Sequence, residues 1–355
     1  MLLLSYVVHL LTLVHVSDVH FGDLSLAEQE PLDAEVRHWW RHHARFDGFH
    51  GHHHAALVHL RQRMVELRRT LDTNEALRLV VTGDVTAFGA PMQFQLARQY
   101  IEDAIALGQG NRLGLELADG LELAIPGNHD HWPGDRTIFG EETAGLGHLF
   151  PRRPFVAAPI VLPGGVKVVV AGIDSDADTR PWGPARFMAR GHFCSQLREL
   201  APMLGEGRAD EIRVLLVHHS RMHTTTFSVE MMGSESADAL DEFMRAQDVA
   251  VLLTGHVHQA EGDVWSIGDG RGRQWNVLEA RCGTTTQRDK APRDWNLTPE
   301  QEAERFPVNT LVVHRLSRAR DGSIEWAAHV EERHRFRGFR RSGLLGEAVR
   351  VWPRP

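Results

Sequence analysis

Cysteine is almost missing from this chain: Cys194 and Cys282 are the only two in 355 residues, and they lie far apart with no metal-binding spacing. That scarcity excludes a disulfide framework, and two reduced thiols point to a cytoplasmic protein. Positive charge is also short. With 39 Lys and Arg against 47 Asp and Glu, the net charge is -8, which argues against a surface made to coat nucleic acid. An anionic substrate stays open, because bound cations can reverse the field inside a cleft. The apolar start, Met1 to Val16, is shorter than the ~20 residues that span a bilayer. It lacks a basic n-region, contains His9 and His15, and is read as a short leader into a buried first strand. No internal repeat and no clean linker divide the chain.

What is plentiful is histidine, at 23 residues, and short apolar runs. Leu11–Val16, Leu77–Thr82, Leu121–Ile125, Val166–Ala171, Ile212–Val217 and Val249–Leu253 are nearly continuous rather than alternating, as in strands covered on both faces. Helical patterns separate them at Pro91–Leu107, Phe193–Leu204 and Ser234–Ala246. Strand–helix alternation of this kind predicts an α/β protein with layered sheets. Trp265 to Trp275 reads as a hairpin around Gly268-Asp269-Gly270, and Asn309–Leu316 and Ile324–Val330 as closing strands. The glycines at 268, 270 and 272 are not a phosphate loop, since neither a helix pattern nor Lys-Ser/Thr follows.

Five motifs stand at the ends of predicted strands: Asp18-Val19-His20, Gly83-Asp84, Gly127-Asn128-His129-Asp130, His218-His219 and Gly255-His256-Val257-His258. Ligands of open α/β sheets bind where loops from several strand ends converge. Carboxylate, amide carbonyl and imidazole together suit Mn, Fe, Zn, Co or Ni rather than Ca or a thiolate-bound ion. A shared carboxylate gives the ~3.5–4 Å metal separation of two-metal phosphoryl chemistry. The glycines before Asp84, Asn128 and His256 permit tight turns. Any one of these motifs is a common accident in a loop; five in order, each after a strand, are not.

The series resembles the calcineurin-like metallophosphoesterase superfamily over roughly residues 11 to 315. The openings Leu13-Val14-His15-Val16-Ser17-Asp18-Val19-His20-Phe21 and Val80-Val81-Thr82-Gly83-Asp84-Val85-Thr86 are similar to its bacterial cyclic-nucleotide phosphodiesterase-like branch. The resemblance implies a four-layer αββα sandwich and two divalent or trivalent ions, Mn, Fe or Zn. It implies that Asp18, His20 and His258 hold the first ion, that Asp84 bridges, and that Asn128, His218 and His256 complete the second. His129 would face the phosphate, with Asp130 orienting its ring. Ser220 follows His218-His219 where a proline is common in relatives, which implies a less rigid ligand loop and leaves His219 as the rival to His218. The implied reaction is attack on a phosphodiester, possibly of a cyclic nucleotide, by hydroxide bridging the metals. His129 would stabilise the developing charge or protonate the leaving oxygen. A phosphomonoesterase, a phospholipid or glycerophosphodiester hydrolase, and a non-catalytic metal-binding scaffold are the alternatives. A small phosphorylated substrate is the expected partner, with no membrane span and no strong nucleic-acid signal.

Residues 1–330 are expected to form the catalytic domain. A helical hairpin is inserted at about 31–70, breaking near Asp47-Gly48 and Gly51. Eight histidines fall between His38 and His59; they suit a solvated helix pair, a cap that contacts phosphate, or a separate metal site. Trp39 and Trp40 suit core packing or stacking on a base. Beyond 330 a C-terminal tail is expected. Its Arg333-His334-Arg335-Phe336-Arg337 stretch, with Phe339, Arg340 and Arg341, suits a surface tail or edge pairing better than anion binding.

Overall fold

A computed structural model gives the fold for residues 8–22, 51–108, 111–134, 140–179, 190–221, 231–270, 272–286, 309–334 and 337–353. The first sheet is built on β1 (Val8–Val16), which runs parallel to β2 (Ala76–Thr82). Two short strands, β3 (Ile105–Gly108) and β4 (Asn111–Leu113), form a separate hairpin. β5 (Ala124–Ile125) pairs parallel with β2. In the second sheet, β6 (Phe155–Val156) and β7 (Ile160–Val161) flank β8 (Lys167–Gly172), which continues through β9 (Glu211–Leu216), β10 (Val249–Thr254), β12 (Gln274–Arg281) and β11 (Glu261–Gly268). The first sheet closes with β13 (Thr310–Arg318) antiparallel to β1, then β14 (Ile324–His334), β15 (Gly338–Leu344) and β16 (Val349–Trp352).

The strands are apolar on both faces because both faces are covered. Leu11, Leu13 and Val80 meet Val168, Val214, Leu216, Val251 and Leu253 between the sheets. Val14, Val16, Leu79 and Val81 pack instead under α1 (His54–Arg69) and α2 (Pro91–Glu102). Leu215, Val217 and Leu252 pack under α4 (Cys194–Leu204) and α5 (Ser234–Ala246); α3 (Ala144–Leu149) is a short helix against α2. Two sheets with helices outside each make the expected αββα sandwich. No helix of the described residues is long and apolar enough to cross a membrane.

Of the expected insertion, residues 31–50, with Trp39, Trp40 and the histidines up to His50, lie outside the described residues. The remainder is α1. It buries Leu57, Leu60, Met64 and Leu67 at helical spacing, each contributing roughly 1.5–3 kcal/mol of apolar burial. His53 caps it by accepting from the Ala55 amide at 3.1 Å. Arg68 and Arg69 sit favourably at its carboxyl end. This half therefore belongs to the outer helical layer.

Three expectations change at their edges. The helix from Pro91 stops at Glu102, because the chain turns at Asp103 into the β3–β4 hairpin. The strand expected from Leu121 is reduced to Ala124–Ile125, because turns from Leu117 to Gly120 and from Asp119 to Glu122 take up the backbone before it. Beyond 330, where a tail or edge pairing was expected, the described chain joins the sheet: β14 runs on to His334, β15 and β16 both pair with it, and Phe339 is fully buried.

Candidate metal centre

The parallel strands deliver the motif loops to one end of the sandwich. The loops after β1 and β2 stay laced together, with the Asp18 amide donating to Gly83, His20 to Asp84 and Phe21 to Val85. Thr284 and Thr286, after β12, donate their hydroxyls to the Asp18 and Val19 carbonyls at 2.8 and 2.7 Å. Asp18, His20, Asp84, His256 and His258 all have φ between 49° and 74°. Side chains pay for the left-handed region, and residues held there cluster at functional sites.

The glycines matter through space as much as through torsion. Gly83 has φ +93°, whereas Gly127 and Gly255 are not left-handed. A Cβ on Gly127 would lie 2.3 Å from Asp84 Oδ1, and one on Gly255 would lie 1.9 Å from Ser17 Oγ.

Two groups of donor atoms result, joined by Asp84. In the first, Asp18, His20, Asp84 and His258 gather their ligand atoms: Asp18 Oδ1 is 2.8 Å from His258 Nε2, and His20 Nε2 is 3.9 Å from Asp84 Oδ2. In the second, Asp84, His218 and His256 converge. His218 Nε2 lies 3.4 Å from Asp84 Oδ2, and Asn128 Oδ1 lies 3.2 Å from that nitrogen and 3.1 Å from His256 Nδ1. The residues fit cations. Asp18 Oδ1 is buried without a hydrogen bond despite its close imidazole, so nitrogen and oxygen point at common ground rather than at each other. His218 Nδ1 donates to the Thr82 carbonyl at 2.6 Å, which turns Nε2 to the Asp84 and Asn128 oxygens. A cation belongs between them, a proton while the ring is charged or a metal ion once it is neutral.

The protonation pattern agrees. Burial alone would raise the Asp84 carboxyl, but His218, His129 and His20 hold it well below the ordinary range. Burial works against charge on His218 too, yet Asp84 lifts it to about 9. His256 is pushed down to about 3 by burial and by the neighbouring His218. One fixed carboxylate thus attracts positive charge that the rings share unevenly.

The sequence model of calcineurin-like phosphoesterases matches residues 11–260. The chain belongs to that family. A search of curated proteins gives no match. Among solved structures, GAP50, the anchor in the inner membrane complex of Plasmodium, is 11% identical with a TM-score of 0.45, covering 96% of this chain and 90% of its own. A Staphylococcus aureus protein described as a 5'-nucleotidase is 13% identical, with a TM-score of 0.39 and coverage of 96% and 54%. The purple acid phosphatase PPD1 of yellow lupin (Lupinus luteus) seeds is 12% identical, with a TM-score of 0.41 and coverage of 92% and 52%. The chain thus spans about half the length of the latter two.

Within this calcineurin-like phosphoesterase two expected details differ. Asp130 does not orient the His129 ring. Its carboxylate accepts from the Val85, Thr86 and Gly127 amides and the Thr86 hydroxyl, so it braces the loop after β2. Burial and Asp84 raise its pKa to about 6. The His129 ring is set by the Ala87 carbonyl, 3.0 Å from Nδ1, and by stacking on Trp132 at 4.2 Å. The His218–His219 loop is also tied rather than loose. Ser220 Oγ, the Arg221 amide and Thr254 Oγ1 all donate to Glu279 Oε1, at 2.8, 3.1 and 3.2 Å. His218 faces Asp84, while His219 Nδ1 faces Ser175 Oγ at 2.8 Å.

Sequence reasoning missed Glu279, Thr284 and Asp174. Asp174-Ser175-Asp176 follows β8 just as the five motifs follow their strands, so its position was a signal. Glu279 lies inside a strand and gave none.

Proposed function

We propose that this chain hydrolyses a phosphodiester of a small phosphorylated substrate, with a cyclic nucleotide the first to test, at two ions held by the paired groups. What supports the pair is Asp84, one buried carboxylate common to both clusters. In this reading Asp18, His20 and His258 hold one ion, Asn128, His218 and His256 the other, and Asp84 both. Bound there, divalent ions would lower the pKa of water and neutralise phosphate oxygens.

The chain's own residues do the rest. The His129 amide donates to Asp84 Oδ1 at 2.8 Å, which fixes that carboxylate and turns Oδ2 to the rings. With Nδ1 donating to Ala87, a neutral His129 has an accepting Nε2. Burial lowers its pKa, so it must gain a proton before it can give one to a leaving oxygen, and an arriving phosphate anion favours that gain. Thr82 holds the His218 tautomer through its carbonyl. Two unpaired thiols, Cys194 and Cys282, accord with a cytoplasmic setting.

The test is elemental analysis of the purified protein alongside hydrolysis of bis(p-nitrophenyl) phosphate, cyclic nucleotides and p-nitrophenyl phosphate with added Mn²⁺. About two ions per chain and turnover of diesters are expected. Turnover of monoesters alone would sink the diesterase reading, and a fully loaded but inert protein would sink hydrolysis altogether.

A further inference from the structure

A cavity of about 490 Å³ lies outside both donor groups, on the loops after β5 and β8. One charged cluster forms part of its wall. His131 Nδ1 is 2.8 Å from Glu142 Oε2 and its Nε2 is 2.9 Å from Asp174 Oδ1. Arg153 Nη1 donates to Asp174 Oδ2 at 3.1 Å. Burial opposes a proton on His131, but the carboxylates at its two nitrogens hold its pKa well above the ordinary value. Two cations and two anions therefore cancel and stiffen one another.

The same loops carry the second donor group. His131 ends the single 3₁₀ turn Asn128–His131 that presents Asn128. Ser175, between the lining residues Asp174 and Asp176, faces His219, whose ring lies 4.4 Å from that of His256. The loops that carry the second donor group thus also wall this cavity.

The lining shows what it can take. Thr179, only 6% exposed, has a hydroxyl with no hydrogen-bond partner. Gln196 spends Oε1 on the Asp174 amide at 3.3 Å, which leaves its NH₂ to donate. Apart from Gly140 and Ala177, every described lining residue is polar or charged. Among the described lining residues a nucleobase or acyl chain would find no aliphatic face, and no aromatic ring but that of His131, which carries charge. A second phosphate would meet carboxylates from Glu141, Glu142, Asp174 and Asp176, and a bare cation would meet Arg153 and His131. Hydroxyls suit both signs, since each donates to a carboxylate and accepts from an amide or guanidinium.

We propose that this cavity is a polyol subsite, receiving the vicinal hydroxyls of an alcohol esterified to the phosphate held at the paired Asp and His groups. For the phosphate end it rests on the hydrolase reading above. Glycerol and sugar esters are the chemical class, and Thr179 Oγ1 is the group that an incoming hydroxyl completes.

Calorimetry on the Mn²⁺-loaded protein with 2,3-dihydroxypropylphosphonate and propylphosphonate isolates the hydroxyls, because the two probes share one headgroup and resist hydrolysis. The diol is expected to bind about tenfold tighter, the order of one or two net hydrogen bonds. Thr179→Val should close that gap, and Thr179→Ser should restore it. Equal affinities for the two probes in the unmodified protein, including no binding of either, overturn the proposal. So does a gap that survives Thr179→Val. Bis(p-nitrophenyl) phosphate turnover by the same preparation reports the hydrolase reading separately. A protein that distinguishes the diol yet cleaves nothing loses the hydrolase reading and keeps the subsite.

Discussion

Asp84 Oδ1 takes the His129 amide hydrogen at 2.8 Å, while Oδ2 lies 3.4 Å from His218 and 3.9 Å from both His20 and His129. Removing this one carboxylate leaves three imidazoles facing one another with only Asp18, on the His20 side, as a nearby anion. Asp84→Ala is therefore expected to lose metal from both groups, seen by elemental analysis as a fall toward zero ions per chain, and to lose activity with it. His129 is a different case. Its ring is held by Ala87 and Trp132, neither of which belongs to the donor groups. His129→Ala should keep close to the normal metal content and slow turnover roughly 10²–10⁴-fold, the usual range for a lost proton donor. A His129 variant that came out metal-free would show that the division between ligands and proton donor is drawn in the wrong place.

The loop after β9 owes its shape to a strand it never touches in sequence. Ser220 replaces the stiffness of a proline with a hydrogen bond, and Glu279 on β12 collects that hydroxyl, the Arg221 amide and Thr254 Oγ1 of β10 on one oxygen. Burial raises the Glu279 pKa, while the Ser220 hydroxyl and the Arg221 amide pull it back. Glu279→Ala strands these donors in a buried place and should cost about 3 kcal/mol in urea unfolding, with weaker metal retention. Glu279→Gln keeps an accepting oxygen and should recover most of both. Equal losses in the two variants would mean that bulk rather than hydrogen bonding holds the loop. The same contrast separates what was legible in the sequence from what was not. β1, β2, β9 and β10 announce themselves as continuous apolar runs because two layers cover them, and a polar motif directly after such a run marks a strand end. The α1 helix was legible as a helix but not as core, since only packing shows that Leu57 and Met64 face β1 and β2. Glu279 and Thr284 act on residues 25 and 266 positions away, and no local pattern records such pairings. For the segment after 330 the edge pairing was legible but the buried strand was not: Phe339 is buried beside exposed Arg340 and Arg341, on a strand that its partner, β14, makes a strand.

Between the two sheets the molecule buries two histidines where apolar side chains would be the cheaper choice. Trp326 can only donate, so His314 Nδ1 must accept its indole hydrogen at 3.0 Å. His314 Nε2 then carries the proton toward His15 Nδ1 at 3.3 Å, and His15 Nε2 donates to Thr82 Oγ1 at 2.8 Å. The chain of bonds has one direction and needs both rings neutral. Burial holds His15 down to about 3, against the pull of Asp18, and burial with His15 nearby holds His314 well below its ordinary value. Unfolding releases both rings to the ordinary 6.5. Below that pH the unfolded chain binds protons that the folded chain refuses, so stability is full above about 6.5 and falls as the pH drops toward 3, by up to ~1.4 kcal/mol per pH unit for each ring. His314→Gln can keep both bonds, its Oε1 accepting from Trp326 and its NH₂ donating to His15, but it cannot take a proton. Urea unfolding at pH 7, 6, 5 and 4 should therefore give the variant a shallower acid limb than the unmodified protein, by about one proton's worth of slope. Coincident limbs would mean that His314 already carries its proton between the sheets, and the one-way chain from Trp326 to Thr82 would have to be given up.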